Sequence, residues 1–158
     1  MDPPEPEDGL DFPLVELFFF AYRDFIADAD GVLEQYGFGR AHHRVLHFVN
    51  RRPGMVVAEL LDILRITKQS LGPVLRQLVE SGHMVQIAGP EDRRQRLLYP
   101  TQKGRTLSIE LTHMQSRRIK GAIETLRNKD RESIRDFLFG MIEPEERDLV
   151  EGLMEKER

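Results

Sequence analysis

The spacing of apolar residues changes from helical to strand-like at Gly82, and this change constrains the fold more than any other feature of the chain. Before Gly82, apolar residues in 58–64 and 70–81 recur at intervals of three and four, which predicts two short amphipathic helices joined by a tight turn. After Gly82, the stretches 83–88 and 96–99 predict two strands joined by a charged loop. The order helix, turn, helix, hairpin is therefore expected, with basic residues at the hairpin tip.

Longer helices are predicted on both sides of this unit. Apolar residues keep helical spacing from Leu14 to Tyr36, and Gly37 follows as a helix-terminating residue. A second helix is predicted at about 40–51, and Thr101 is a strong N-cap for a long helix that further helices follow. The predicted fold class is mainly α, of the α+β type, with one small sheet.

The predicted domain boundaries follow from the same pattern. Residues 1–13 are expected to be a disordered tail, because they contain several prolines and no apolar period. Residues 14–158 are expected to form one domain, with a lobe at about 40–100 and flanking helices at about 14–36 and 102–156. The first flanking helix is apolar on more than one side, so it needs more than one partner. Packing within one chain and an interface between two chains both satisfy this need.

Positive charge is concentrated in the predicted lobe. The window from Arg65 to Arg105 holds eight basic and three acidic residues, a net charge of +5. The whole chain carries −4, so the other residues together carry −9. A basic module in an acidic frame attracts phosphates and orients the protein on a polyanion, which favours nucleic-acid binding.

Composition and motifs exclude several classes of function. The sequence has no cysteine, which excludes disulfides, thiolate metal sites and thiol-based redox sensing. It has no P-loop, dinucleotide-binding fingerprint, His-Glu-x-x-His motif or nucleophile elbow, so neither an enzyme nor a cofactor is expected. The acidic N-terminus does not resemble a secretory signal, and the apolar run Leu17–Tyr22 is too short to span a bilayer. A cytoplasmic protein without membrane contact is expected.

The second helix of the predicted helix-turn-helix begins with polar side chains suited to reading DNA. In this geometry the N-terminal end of the second helix enters the major groove. That end consists of Thr67, Lys68, Gln69 and Ser70. Glutamine can pair with adenine, lysine can reach guanine or a phosphate, and the hydroxyls can bond to either. Arg76 lies two turns later and is expected at a backbone phosphate.

The tip of the predicted hairpin carries two adjacent arginines, Arg93 and Arg94. A solvated charged turn is the alternative interpretation of such a pair. After a helix-turn-helix pattern, however, an arginine at a hairpin tip suits a narrow minor groove, where the negative potential is enhanced. Both arginines are therefore predicted DNA contacts.

Gly72 and Pro73 complicate the second helix, because a proline deep inside a helix costs about 3 kcal/mol. If Thr67 caps the helix, Pro73 removes the hydrogen bond to the carbonyl of Gln69. If Ser70 caps it, Pro73 lies in the first turn and removes nothing. The helix is therefore expected to begin near Ser70, after a loose turn.

Histidines on the second helix raise the question of a metal. His43 and His47 lie one turn apart, a spacing that can bind zinc. A third ligand would have to come from elsewhere, such as His113, and no second motif with ligand spacing is present, so no metal site is predicted. For this cluster, which also includes His42, hydrogen bonding, proximity to DNA and pH sensing remain open roles.

Three segments resemble the MarR family of bacterial regulators. They are residues 66–82, 92–104 and 41–49, which resemble in that order the recognition helix, the wing signature and the second helix of one proteobacterial branch. The resemblance covers roughly residues 14–155. Pro100 departs from the family pattern, where an aliphatic strand residue is usual, and leaves the end of the second wing strand open.

The resemblance implies a winged helix-turn-helix with N- and C-terminal dimerisation helices, acting as a homodimer on a palindromic operator. Two copies place their recognition helices about 34 Å apart, in successive major grooves of one duplex. The resemblance also implies that Asp92 and Arg94 brace the wing. The predicted dimerisation residues are Leu14, Phe18, Tyr22, Leu149 and Leu153.

Members of this family often have a cavity for a small aromatic or amphipathic ligand. The candidate pocket residues are Phe19, Tyr22 and His43, with core or interface packing as the alternative. The expected function is a sequence-specific DNA-binding regulator of transcription, a repressor, with activation as the alternative sign. The competing hypothesis is a winged-helix protein-interaction module without DNA binding, and the positive charge of the lobe argues against it.

Overall fold

The computed structural model describes residues 9–155, and within them the chain is mainly helical with one small antiparallel sheet, which confirms the predicted fold class. The helices are α1 (Phe12–Glu34), α2 (Arg40–Arg51), α3 (Val57–Leu64), α4 (Lys68–Glu80), α5 (Gln102–Glu124), α6 (Arg131–Gly140) and α7 (Arg147–Met154), which follows a 3-10 turn at Pro144–Glu146. The strands are β1 (Met55–Val56), β2 (Met84–Ala88) and β3 (Arg96–Pro100). None of the helices within residues 9–155 has the length and apolar character needed to cross a membrane. Residues 1–8 of the predicted tail lie outside the described residues.

α1 begins two residues before the predicted Leu14. The carboxylate of Asp11 accepts a hydrogen bond from the backbone N–H of Leu14 at 3.1 Å and caps the helix. Pro13 sits in the first turn, where its missing N–H is not needed. Residues 12–13 therefore belong to the helix rather than to the tail. The helix ends before Gly37, whose φ of +70° cannot continue it.

The buried core of the lobe lies between α2, α3, α4, α5 and the sheet. α2 has the predicted bounds, and α3 begins one residue before the predicted start because Glu59 accepts a hydrogen bond from the backbone N–H of Val56 at 2.9 Å. Burying each large aliphatic side chain stabilises the fold by about 1.5–3 kcal/mol. The most buried apolar side chains are Val45, Leu46, Val49, Leu60, Leu71, Leu78, Met84, Leu98 and Leu111.

The sheet has the strand order β1-β3-β2, and both outer strands are antiparallel to β3. The pair Met55–Leu98 brings β1 against the hairpin strand β3. β3 ends at Pro100, which pairs with Met84, so it runs one residue beyond the predicted end at Tyr99. The hairpin is thus anchored to the lobe through a third strand.

α5 connects the hairpin to the flanking helices. Thr101 is its N-cap, as predicted: the hydroxyl accepts a hydrogen bond from the backbone N–H of Gly104 at 3.1 Å and donates to the carbonyl of Gly82 at 2.6 Å. Further along α5, Arg118 donates to both carboxylate oxygens of Asp28 at 2.5 and 2.7 Å. This ion pair joins α5 to α1.

The C-terminal segment folds back onto the lobe. Arg65, in the turn between α3 and α4, forms an ion pair with Glu146 at 2.7 Å. Arg52, which follows α2, donates to the backbone carbonyl of Gly152. α7 therefore lies against the lobe of its own chain.

Candidate nucleic-acid interface

The start of α4 is fixed by Thr67. Its backbone is extended, with φ −77° and ψ 152°, and its hydroxyl accepts a hydrogen bond from the backbone N–H of Ser70 at 3.1 Å. The same hydroxyl donates to the side-chain oxygen of Ser70 at 2.9 Å. The expectation that the helix begins near Ser70 is therefore wrong, because Thr67 is the cap and Lys68 is the first helical residue.

Pro73 consequently lies inside α4, in its second turn. It has no N–H to donate to the carbonyl of Gln69, so the helix lacks one of its regular hydrogen bonds. Both residues are on the exposed side of the helix, where water can solvate a free carbonyl. The helix therefore tolerates a proline at this position.

The predicted DNA-facing residues of α4 share its exposed side. Leu71, Leu75 and Leu78 are buried in the lobe and define the opposite side. The exposed residues are Lys68, Gln69, Ser70, Gly72, Pro73 and Arg76. The structure thus brings the polar N-terminal end of α4 and the later arginine onto one surface, and Thr67 shapes that end through its cap.

The hairpin tip is closed by main-chain hydrogen bonds. Gly89 donates its N–H to the carbonyl of Gln95 at 3.0 Å, and Gln95 donates to the carbonyl of Asp92 at 3.1 Å. The carboxylate of Asp92 accepts from the backbone N–H of Arg94 at 2.9 Å. The contact between Asp92 and Arg94 is therefore a side chain-to-backbone turn, and the guanidinium of Arg94 stays exposed.

The four basic side chains predicted to contact DNA have no acidic partner within residues 9–155. They are Lys68, Arg76, Arg93 and Arg94, all exposed. Two other basic residues of the same window are engaged: Arg65 with Glu146, and Lys103 with the carbonyl of Ser81 at 3.0 Å. The four predicted contacts therefore keep their charge available on α4 and on the hairpin tip. Other exposed arginines without an acidic partner within the same residues include Arg44, Arg96 and Arg105.

A polar and aromatic cluster, which is not predictable as a unit from the sequence, packs behind α4. His42 contacts the side-chain oxygen of Gln77 at 2.8 Å and accepts from the backbone N–H of Gly39 at 3.0 Å, while Gln77 donates to the carbonyl of Gly37 at 3.0 Å. Phe38 stacks on the His42 ring with centroids 4.9 Å apart. His42 therefore ties α4 to the loop before α2. A histidine at the third position of a helix that lacks a polar N-cap is the one sequence signal for this role.

His83 is fully buried at the start of the hairpin. Its Nδ1 lies 2.8 Å from the hydroxyl of Ser81, and its Nε2 has no hydrogen-bond partner within the described part of the chain. Burial lowers the pKa of His83, and the nearby Lys103 lowers it further. Both effects favour the neutral form of the ring.

The two histidines with metal-binding spacing lie in a partly apolar environment. Burial lowers the pKa of His43 and of His47, with smaller contributions from His47 to the first and from Arg51 to the second. Within residues 9–155, no three His, Cys, Asp or Glu side chains are grouped in a way that could hold a metal ion. His113, the suggested third ligand, lies exposed on α5.

The predicted dimerisation residues fall in two places. Leu14 and Tyr22 are exposed on α1, and Phe18 is half-buried against Phe137 of α6, with ring centroids 5.8 Å apart. Leu149 and Leu153, by contrast, line a cavity against the lobe of their own chain. Within one chain, α7 therefore packs on the lobe, and the role of Leu149 and Leu153 in a dimer stays a prediction.

The predicted effector-pocket residues differ in their exposure. Phe19 and Tyr22 are 71% and 60% exposed, whereas His43 is buried in α2. A cavity of about 450 Å³ lies one turn further along α2, between the lobe and α7. Its lining residues include His47, Phe48, Ile63, Thr112, Leu149, Leu153 and Met154.

Comparison with known proteins places this arrangement in a family. The model of the MarR family matches residues 36–95, from the loop before α2 to the hairpin tip. The HTH-type transcriptional regulator PetP of Rhodobacter capsulatus is 42% identical over 130 residues, which cover 82% of this chain and 78% of PetP. The chain belongs to the MarR family.

The fold of this chain is similar to that of solved MarR-family structures. A MarR transcriptional regulator from Methanosarcina mazei has a TM-score of 0.68 at 22% identity, covering 84% of this chain and 89% of its own. The S. aureus MepR–DNA complex has a TM-score of 0.67 at 19% identity, covering 83% and 96%. These low identities support the winged fold alone. The family and the PetP relative are transcriptional regulators rather than enzymes.

Proposed function

We propose that this MarR-family regulator binds double-stranded DNA sequence-specifically as a homodimer on a palindromic operator. The observation that carries the proposal is the set of four exposed basic side chains on α4 and the hairpin tip, none of which has an acidic partner among residues 9–155. Such side chains are free to neutralise phosphates and release counterions. The similarity in fold to MepR, which has been solved bound to DNA, supports the same assignment.

The proposed roles follow from position. Lys68, Gln69 and Ser70 at the N-terminal end of α4 read base edges in the major groove. Thr67 positions this end, because its hydroxyl is already engaged with Ser70. Arg76 contacts a phosphate, since it lies two turns further along the exposed side of α4.

The hairpin tip is proposed to contact the minor groove. The turn closed by Asp92 projects Arg93 and Arg94 outward, and a narrow minor groove attracts arginine side chains. We propose repression as the sign of regulation, because a dimer bound to an operator that overlaps a promoter would block initiation by RNA polymerase. This repression would take place in the bacterial cytoplasm.

Gel-shift titrations across salt concentrations test the DNA-binding proposal. Arg94→Ala is expected to weaken binding to all duplexes and to flatten the dependence on salt, because a phosphate-type contact is lost. Gln69→Ala is expected to relax the preference at one base position, by about 1–3 kcal/mol. Arg23→Ala is the matched control, since Arg23 is an exposed arginine paired with Asp24 on α1. If Arg94→Ala bound as wild type does, the hairpin tip would have no part in binding.

The homodimer is supported by an exposed apolar surface on α1 and α6. The exposed large apolar residues there are Phe12, Leu14, Val15, Leu17, Phe19, Phe20, Tyr22, Phe137 and Leu138. So many exposed large apolar side chains on two helices favour an interaction site over a solvated face. A second copy of the chain is the proposed partner, because a two-fold dimer matches the symmetry of a palindrome. Sedimentation equilibrium would contradict it by giving a one-chain mass under conditions that retain operator binding.

We further propose that a small ligand with an aromatic or other apolar body controls DNA binding from the cavity beneath α7. Six apolar side chains line the cavity together with four polar or charged ones, His47, Arg51, Thr112 and Glu146, and its volume of about 450 Å³ suits a small molecule. The contacts of Arg65 and Arg52 close α7 over the lobe. A ligand that binds better when α7 has moved would therefore shift the position of the lobe.

Thermal-shift screening of small aromatic acids and amines tests this control. A ligand of the cavity is expected to raise the melting temperature and to change operator affinity, and Leu153→Trp, which fills the cavity, is expected to abolish both effects. A ligand whose effects persist in Leu153→Trp would bind elsewhere. If no compound in the panel altered operator affinity, control by a ligand of this class would be contradicted.

A further inference from the structure

The exposed side of α4 has an apolar centre. Gln69, Pro73 and Arg76 are spaced four and three residues apart, so they follow one another along one side of the helix. All three are exposed, opposite the buried leucines of the same helix. Pro73 therefore lies between the residue proposed to read a base and the residue proposed to hold a phosphate.

The chemistry of this centre differs from that of its neighbours. The proline ring has neither a donor nor an acceptor, so it cannot hydrogen-bond to any base edge. Gly72 beside it has no side chain, and a Cβ added there would meet nothing within 4 Å. No long side chain therefore keeps this part of α4 away from the floor of the groove.

Pro73 has no evident structural role. It is exposed and does not belong to the buried core of the lobe. It also removes a backbone hydrogen bond from the helix. An exposed residue that weakens the helix is better explained by what it contacts outside the protein.

We propose that Pro73 contacts the C5-methyl group of a thymine in the major groove and so specifies a thymine in each half of the operator. The thymine methyl is the apolar group that base edges present in this groove, and apolar side chains recognise it by contact. The specified thymine lies next to the base read by Gln69, on the side towards the phosphate held by Arg76. This inference rests on the proposed DNA binding and adds a specificity-determining residue to it.

Replacing thymine by deoxyuridine tests the contact, because the exchange removes the methyl group and keeps base pairing. The operator is first selected from random duplexes with the full-length protein, and each thymine is then replaced in turn. For the wild type, one symmetric pair of thymines is expected to show a loss of about fourfold in affinity per half-site, as for one buried methyl group. All other thymines are expected to tolerate the exchange.

Two variants separate Pro73 from the rest of the helix. Pro73→Ser, which restores the backbone N–H, is expected to fold normally, to bind the thymine operator more weakly and to lose the deoxyuridine effect. Arg76→Ala, the matched control on the same side of α4, is expected to bind more weakly and to keep that effect.

An equal deoxyuridine effect in Pro73→Ser and wild type would overturn the inference, as would a selected operator without a methyl-sensitive thymine. Either result would leave the proposed DNA binding standing. Failure to retard any duplex would instead contradict the proposed function itself.

Discussion

Gly104 shows how closely the hairpin and α5 approach each other at the level of single atoms. A Cβ at this position would overlap the backbone carbonyl oxygen of His83, which itself accepts the N–H of Thr101 at 3.1 Å. Because this oxygen belongs to the backbone rather than to a flexible side chain, it cannot move aside without disturbing the contact between the hairpin and α5. The close approach therefore requires glycine.

Gly104→Ala is expected to destabilise the protein by about 1–3 kcal/mol or more, since the added methyl has no room. Gly121→Ala is the matched control in the same helix, where a Cβ meets nothing within 4 Å. That substitution is expected to be neutral or to stabilise by up to about 1 kcal/mol, because alanine is the better helix former. Urea unfolding of the two variants gives both values, and similar stabilities would contradict the close approach.

Buried histidines make stability depend on pH. Burial lowers the pKa of His43, His47 and His83, so the folded protein keeps them neutral to lower pH than the unfolded chain does. The contribution of these neutral histidines to folding stability is complete at a pH above the histidine pKa of the unfolded chain, about 6.5. It is lost as the pH falls below that value. Stability is therefore expected to decrease as the pH is lowered from about 7 to about 5. Urea unfolding across this range should give a shallower slope for His83→Asn, and an unchanged slope would show that His83 makes no contribution.

At the scale of the elements, α2 and α4 show which helix boundaries can be predicted from the sequence and which cannot. The bounds of α2 are predicted correctly, because Gly39 and the Arg52-Pro53-Gly54 segment terminate the helical spacing on both sides. The start of α4 is not predicted correctly, because Thr67 and Ser70 are both good N-caps and the apolar pattern fits a helix that begins after either residue. Only the backbone geometry, with Thr67 extended and its hydroxyl on the N–H of Ser70, distinguishes them.

A pair of alanine substitutions tests which residue caps α4. Thr67→Ala is expected to lower the free energy of unfolding by about 1 kcal/mol, the usual effect of removing an N-cap side chain. Ser70→Ala is expected to cost less, because its backbone N–H still reaches Thr67. Denaturant unfolding of both variants decides the matter, and the reverse order of stabilities would assign the cap to Ser70.

In the hairpin, the strands are predictable from the sequence, but the hydrogen-bond partners of its side chains are not. The sequence correctly predicts two strands and a charged tip, because alternation and turn residues are local signals. It does not predict that Asp92 bonds to a backbone N–H rather than to a guanidinium, nor that β1 joins the sheet. Those details depend on atoms that are distant in the chain or on turn geometry that the residue types allow but do not dictate.

Over the whole molecule, apolar patterning identifies surfaces but not the partners that cover them. Leu14 and Leu153 both belong to amphipathic helices that the sequence assigns to one dimer interface. The structure leaves Leu14 exposed and turns Leu153 towards the lobe, where Arg52 and Arg65 hold α7. These two long-range contacts could not be predicted from the spacing of apolar residues. Helical spacing indicates which side of a helix is apolar, but not which other element packs against that side.

The exposed side of α1 therefore becomes the strongest place to test assembly. Phe19→Asp puts a charge at a side chain that is 71% exposed in one chain, so the fold is expected to survive and the dimer to dissociate. Val85→Asp makes the same kind of change at an apolar side chain 41% exposed on β2, and is expected to remain dimeric. Sedimentation equilibrium and circular dichroism separate assembly from folding, and operator affinity should fall by about 10²–10⁴ in the monomer, since linked binding to two half-sites is lost. If Phe19→Asp and Leu138→Asp both sedimented as dimers, the interface would lie away from α1 and α6. The palindrome would then have to be matched by another surface.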